Sequence, residues 1–112
     1  MDKKDVFFEA VNKGDLNTIK QLVEEGIDLN LKDKEGYTAL MIAAIKGYLD
    51  IVRYLVEHGA KINIQKHSGK TALTFAVLNN NLDIVKYLIQ NGADVNERNE
   101  EGITPLIYAA KD

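Results

Sequence analysis

The chain has 112 residues, a formal charge of −3, no cysteine and two histidines. That length bounds it to one domain, 1–112. The acidic balance, with no sustained lysine/arginine cluster, argues against nucleic acid as a partner. Without cysteine there are no disulfides, and no run approaches the roughly 20 apolar residues that span a bilayer, so no membrane partner is expected.

In chain order, the start Met1-Asp2-Lys3-Lys4-Asp5 has no secretory hydrophobic stretch. If this is the native start, a cytoplasmic location is expected. Lys3-Lys4 stands between two aspartates and reads as a solvated terminus. From there the chain repeats. Gly36, Gly69 and Gly102 lie 33 residues apart, each opening a related phrase: Gly-Tyr-Thr-Ala-Leu, Gly-Lys-Thr-Ala-Leu, Gly-Ile-Thr-Pro-Leu. Ala10, Ala43, Ala76 and Ala109 keep the same phase, as do Leu16, Leu49 and Leu82, then Leu22, Leu55 and Leu88. Gly26, Gly59 and Gly92 follow, and then Asn30, Asn63 and Asn96. A period of this length implies stacked units. They divide as an opening unit 1–35, full units 36–68 and 69–101, and a partial unit 102–112.

Within a unit, Thr38 reads as an N-cap before the short helix Ala-Leu-Met-Ile-Ala-Ala. Thr104-Pro105 repeats that signal with proline at the first helical position. Gly47 interrupts the run, and Asn80 takes its place in the next unit, where asparagine tolerates left-handed geometry. A second helix follows through Leu49, Ile51, Val52, Leu55 and Val56, whose spacing gives one apolar face. Gly59 supplies its left-handed exit. The polar segment from Ala60 to Gly69 is too short for another helix and fits a turn or hairpin. Alanines at 43, 44, 76, 109 and 110 let helices approach closely, and Leu40, Leu55, Leu73, Leu82 and Leu88 supply the larger contacts. Asn30, Asn63 and Asn96 are expected to hold polar turn backbone.

These stretches, Asp33-x-x-Gly36-Tyr37-Thr38-Ala39-Leu40, Gly47-Tyr48-Leu49-Asp50-Ile51-Val52 and Gly92-Ala93-Asp94-Val95-Asn96, resemble the ankyrin repeat family over essentially the whole chain. The resemblance implies an all-α repeat solenoid of stacked helix–turn–helix units with short β-hairpin or turn projections and a concave binding surface. It implies no particular ligand, because the shared residues maintain the stack. Three departures stand out. Ala39 and Ala72 replace the proline kept only at Pro105. Met41, Thr74 and Ile107 occupy the place where the family often carries a histidine tying loop to helix, and Thr74 can substitute locally. Lys66 replaces the acid at Asp33, so that turn is expected to be less well tied. The last unit begins a helix at Ile107-Tyr108-Ala109-Ala110 without its partner, which favours a piece of a longer array over an intact chain with a half-repeat cap; in the former case end-to-end self-association through this half-repeat is expected.

The chemical motifs have plainer explanations. Ser68-Gly69-Lys70-Thr71 lacks the earlier glycine of a phosphate-binding loop, since Ile64 stands there. His58 and His67 belong to no metal-spaced cluster. Glu24-Glu25 and Glu100-Glu101 read as solvated pairs, and Asn79-Asn80-Asn81 as a local turn. Neither a catalytic site nor a cofactor is expected.

The positions free to vary mark the candidate partner surface. At the tips these are Lys34, Glu35 and Tyr37; His67, Ser68 and Lys70; and Glu100, Glu101 and Ile103. On the first-helix edge they are Asn12, Lys13, Ile45, Lys46, Leu78 and Asn79, with His58 and Asn91 extending them. Tyr37, Ile45 and Leu78 add apolar area, although Ile45 and Leu78 equally suit packing. The leading expectation is a non-catalytic protein–protein interaction module. The alternatives are a structural segment of a longer array with its binding residues elsewhere, and, further off, an enzyme or a small-molecule-binding regulatory protein.

Overall fold

The computed structural model describes residues 2–95. They form six helices: α1 (Lys3–Lys13), α2 (Leu16–Glu24), α3 (Ala39–Lys46), α4 (Leu49–Glu57), α5 (Ala72–Leu78) and α6 (Leu82–Gln90). Successive helices pack as pairs, α1 on α2, α3 on α4 and α5 on α6. The pairs stack, with α1, α3 and α5 forming one layer and α4 and α6 meeting in the other. This is the all-α repeat arrangement of paired helices that the resemblance implies.

Helix starts follow from side-chain chemistry. The Thr38 hydroxyl accepts the Met41 N–H at 3.3 Å, and the Thr71 hydroxyl accepts the Thr74 N–H at 3.4 Å. The reverse bond closes each cap: the Thr71 N–H donates to Thr74 Oγ1 at 3.2 Å, and the Thr38 N–H meets Met41 Sδ at 3.4 Å. Thr74 thus substitutes locally as expected. Met41 fills the same role through a weaker sulfur acceptor, a part the sequence reading did not assign to it.

The turn between paired helices needs left-handed backbone. Gly14 and Gly47 provide it at φ 76° and 79°, and Asn80 does so at φ 57°, the one non-glycine with positive φ among the described residues. The next pair closes over the glycines. A Cβ on Gly14 would stand 3.2 Å from Tyr48 Cζ, and one on Gly47 would stand 3.3 Å from Asn81 Oδ1. Tyr48 and Asn81 make no side-chain cap for their own helices. They reach back instead: the Asn81 amide donates to Ala44 O at 2.8 Å, and the Tyr48 hydroxyl donates to Asn12 O at 3.5 Å.

The core runs through the stack without a single centre. Phe7, Val11, Ile19, Leu40, Ile51, Leu55, Leu73, Ile84 and Leu88 are all buried, and Ala10, Ala43 and Ala76 lie between helices where a larger side chain would hold them apart. Leu82 departs from the expectation that it belongs with these leucines, being 45% exposed. It lies on the outer side of α6, whereas its in-phase counterparts Leu16 and Leu49 pack against the core.

The asparagine series links pairs rather than tying its own turn. Asn30 Oδ1 accepts the Lys61 N–H at 2.9 Å, and Asn63 Oδ1 accepts the Asp94 N–H at 2.8 Å. Asn96 lies outside the described residues. No sheet forms among the described residues; the expected β-hairpin is reduced to one isolated antiparallel bridge, Lys32 with Thr38. At the first turn the Asp33 carboxylate takes the Tyr37 N–H, which faces Asp33 O across the turn and would otherwise extend a ladder.

Candidate protein-binding surface

Two turns lead into α3 and α5, and they share a backbone. The Asp33 N–H donates to Tyr37 O at 2.9 Å and the Gly36 N–H to Asp33 O at 3.0 Å. The Lys66 N–H donates to Lys70 O at 2.9 Å and the Gly69 N–H to Lys66 O at 2.9 Å. Gly36 and Gly69 adopt φ 88° and 85°, a conformation that glycine reaches without a Cβ penalty. The phosphate-loop lookalike around Lys70 is therefore the second of two equivalent turns.

Their side chains differ. Asp33 Oδ1 accepts the N–H groups of Glu35 and Tyr37, both at 2.9 Å. Lys66 cannot accept either bond. Its ammonium instead lies 3.6 Å from the centre of the Tyr37 ring, within cation–π range. Tyr37 also meets Phe75, with ring centroids 5.6 Å apart. Tyr37 is consequently half-buried between the turns. The sequence marked Lys66 only as a lost acid that loosens its own turn, and Phe75 was not singled out; the contact of either with Tyr37 was not expected.

The other candidates divide by exposure. Lys34, Glu35 and His67 are exposed at the turns, while Ser68 and Lys70 are half-buried. At the ends of the first helices, Asn12, Lys13, Lys46, Leu78 and Asn79 are exposed, whereas Ile45 packs partly against the core. The pair weighed together thus separates, with Ile45 covered and Leu78 44% exposed. Glu100, Glu101 and Ile103, together with the half-repeat at 102–112, lie outside the described residues.

Two recesses flank the first turn. One, of 230 Å³, is lined by Asn12, Asp33, Glu35, Tyr37, Ile42, Ile45 and Lys46. The other, of 470 Å³, is lined by Asp2, Lys4, Asp5, Phe8, Asp33, Lys34 and Glu35. Asp33 and Glu35 border both. Each recess combines apolar side chains with charged groups, the mixture through which a partner surface gains both contact area and orientation. The place of Asp2 and Phe8 beside this turn was not anticipated, because Asp2 lies before α1 and Phe8 within it, with all of α2 between them and the turn.

The second-helix layer is built differently. The Lys20 ammonium lies 5.8 Å from the Tyr54 ring centre, and the Arg53 guanidinium 5.4 Å from that of Tyr87. Burial pushes both phenols above their ordinary range; Glu24 adds to the rise at Tyr54 and Glu57 to that at Tyr87, where Arg53 opposes it. His58 stacks on Tyr54 at 3.9 Å between ring centroids, with Nδ1 2.8 Å from Tyr54 O. The Asn91 amide donates to Tyr87 O at the same distance, 2.8 Å. His58 and Asn91 thus close helix ends on the layer away from the turns.

Among the described residues no group of three or more His, Asp or Glu side chains is placed to hold a metal ion, and no helix is long and apolar enough to cross a membrane. Comparison with protein families gives a match to the model described as ankyrin repeats (3 copies), over residues 7–99 and, overlapping it, 65–112. No curated protein matches the chain.

Proposed function

Because the chain belongs to the ankyrin repeat family, whose members are typically non-catalytic interaction scaffolds, we propose that it is a protein-binding module using its turn tips and the adjoining concave edge of the first helices. The observation that carries this reading is the pair of recesses sharing Asp33 and Glu35. The half-buried Tyr37 and Ile45 offer apolar contact there over the buried Phe8 and Ile42, while Lys34, Glu35 and Lys46 supply the polar rim. His67, Ser68, Lys70, Leu78 and Asn79 extend the surface along the second turn and the end of α5, and Glu100, Glu101 and Ile103 continue it in the sequence. In this reading the units are 1–35, 36–68, 69–101 and the partial 102–112.

The mechanism is rigid presentation. The turns are closed by backbone hydrogen bonds and seated on capped helices, so little ordering entropy remains to be lost on association.

Affinity capture followed by direct binding tests this reading. The purified partner is titrated against the wild type and a Glu35→Ala/Lys46→Ala/His67→Ala variant with a matched thermal transition. The expected result is at least about a tenfold weaker complex for the variant, as for loss of moderate hot-spot contacts. A partner bound equally well by both proteins places its site elsewhere and removes the assignment. That result favours the second reading, a structural segment of a longer array, which draws its support from the bare Leu82 and Ile89 on α6.

A further inference from the structure

The 230 Å³ recess beside the first turn is bordered by two carboxylates on the turn, Asp33 and Glu35, and by an ammonium at the end of α3, Lys46. Asp33 is committed to its own turn through Oδ1. Glu35 and Lys46 are exposed, and neither enters the ion pairs found among the described residues, Lys3–Glu25 and Lys13–Glu9. Opposite charges thus border one recess without satisfying each other. The rest of its lining is Asn12, the half-buried Tyr37 and Ile45, and the buried Ile42. These walls are held in place. Tyr37 has the Lys66 ammonium 3.6 Å from its ring centre and the Phe75 ring centroid at 5.6 Å. The Asn12 amide donates to Phe8 O at 2.9 Å, which leaves its Oδ1 as an acceptor. One unit on, Ser68 stands in phase with Glu35 and Asn79 with Lys46, so this opposition of charges belongs to the first turn.

Resting on the tip and first-helix reading above, we propose that this recess anchors a dipolar segment of the partner protein. An apolar side chain of that segment enters over Tyr37 and Ile45; a basic residue on one side of it meets Glu35, and an acidic residue on the other meets Lys46. Charge complementarity selects this occupant. Two basic flanks would set a like charge against Lys46, and two acidic flanks would do the same at Glu35. A wholly apolar segment would take water from both charges and return no partner to either. A further unit of the array is not the occupant. The walls belong to the first two helix pairs, and the α5–α6 pair already follows them, so stacking continued past α6 leaves the recess open.

The test titrates the whole chain with three end-blocked peptides, Arg-Ser-Leu-Ser-Glu, Arg-Ser-Leu-Ser-Arg and Glu-Ser-Leu-Ser-Glu. In an extended peptide the leucine and both charged residues share one face. Backbone amide shifts are followed to saturation. Shifts at Glu35, Tyr37, Ile45 and Lys46 are expected, with the mixed peptide binding about two- to five-fold more tightly than either like-charged one, as for exposed ion pairs. Glu35→Lys should make the doubly acidic peptide the best ligand, and Lys46→Glu the doubly basic one. Both changes are at exposed side chains, and matched melting transitions confirm the fold. In about 0.5 M salt the three affinities should converge. Equal affinities at low salt, a wild type that prefers a like-charged peptide, a ranking unmoved by either reversal, or no saturable shifts at the recess would overturn the proposal. So would concentration-dependent shifts there without peptide, which identify a second copy as the occupant. If the peptides fail while the captured partner still weakens in the Glu35→Ala/Lys46→Ala/His67→Ala variant, the dipolar assignment falls and the tip reading stands. If the partner is also indifferent to that variant, both fall.

Discussion

The turn at 33–37 and the turn at 66–70 have the same backbone closure and opposite ways of using the first side chain. In the first, Asp33 turns inward and accepts two N–H groups of its own turn. In the second, Lys66 reaches out and covers the Tyr37 ring of the neighbouring turn. Both end in a threonine cap and carry a left-handed glycine at the same place. The glycine and the cap therefore suffice for the shape, while the residue that opens the turn decides whether it is held from within or by its neighbour. A surface of this kind can change chemistry without changing course, as a binding scaffold requires.

The comparison can be broken at several levels, and the largest effect lies beneath the turns. Leu40 and Leu73 are the in-phase buried leucines of α3 and α5, 2% and 1% exposed. If the turns share one foundation, Leu40→Ala and Leu73→Ala should each cost about 2–5 kcal/mol in denaturant unfolding. A loss below about 0.5 kcal/mol at Leu73 would contradict the packing described for α5, since it falls far short of the range for a buried leucine.

Next comes the acid. Asp33→Ala leaves two backbone N–H groups without their side-chain acceptor and should cost about 1–2 kcal/mol. Amide exchange should quicken at Glu35 and Tyr37 and stay unchanged at Ser68 and Lys70. The lysine matters less: Lys66→Met should cost about 0.5–1 kcal/mol. A double-mutant cycle with Tyr37→Leu should recover most of that as coupling. Additive losses would mean that the ammonium and the ring do not interact.

The smallest effect concerns pH, at a third polar anchor. The Thr18 hydroxyl at 2.6 Å, and then the Thr18 N–H, hold the Asp15 carboxyl below its ordinary value of 3.8. A folded-state value lower than the unfolded one means that the stabilisation is fully present above pH about 4 and fades as pH falls through the folded value. The Asp15 carboxyl resonance should therefore titrate below the unfolded range in the wild type and move back toward it in Thr18→Ala. The two turns, which do not involve Asp15, should keep their amide shifts through this change.

Much of the architecture was legible because repetition multiplies weak signals. Thr38 or Gly47 alone is a common residue in a common place; in phase with Thr71 and Asn80 it marks a cap and a left-handed turn. At Asn80 the position of Gly47 alone predicts the positive φ that the turn adopts. The stacking contacts were less legible. Tyr48 and Asn81 are unlike in chemistry, so nothing in the sequence announced that both reach back to the preceding first helix. Leu82 was misplaced for the converse reason: period assigns equivalent residues equivalent roles, but burial also depends on what covers them. At the candidate surface, the exposed tips at Lys34, Glu35 and His67 follow from the turn phrase. The enclosure of Tyr37 by Lys66 and Phe75 depends on contacts between units, which spacing does not reveal.

Lysines lie on both sides of the stack, which gives the central claim a direct measurement. Lys34, Lys46 and Lys70 lie on the turn and first-helix side, and Lys20 and Lys86 on the second helices. Amine-reactive cross-linking of the captured complex, read by mass spectrometry, reports which side meets the partner. Links from Lys34, Lys46 or Lys70 are the predicted result. Links confined to Lys20 or Lys86 would contradict tip and first-edge binding and move the interface to the opposite layer.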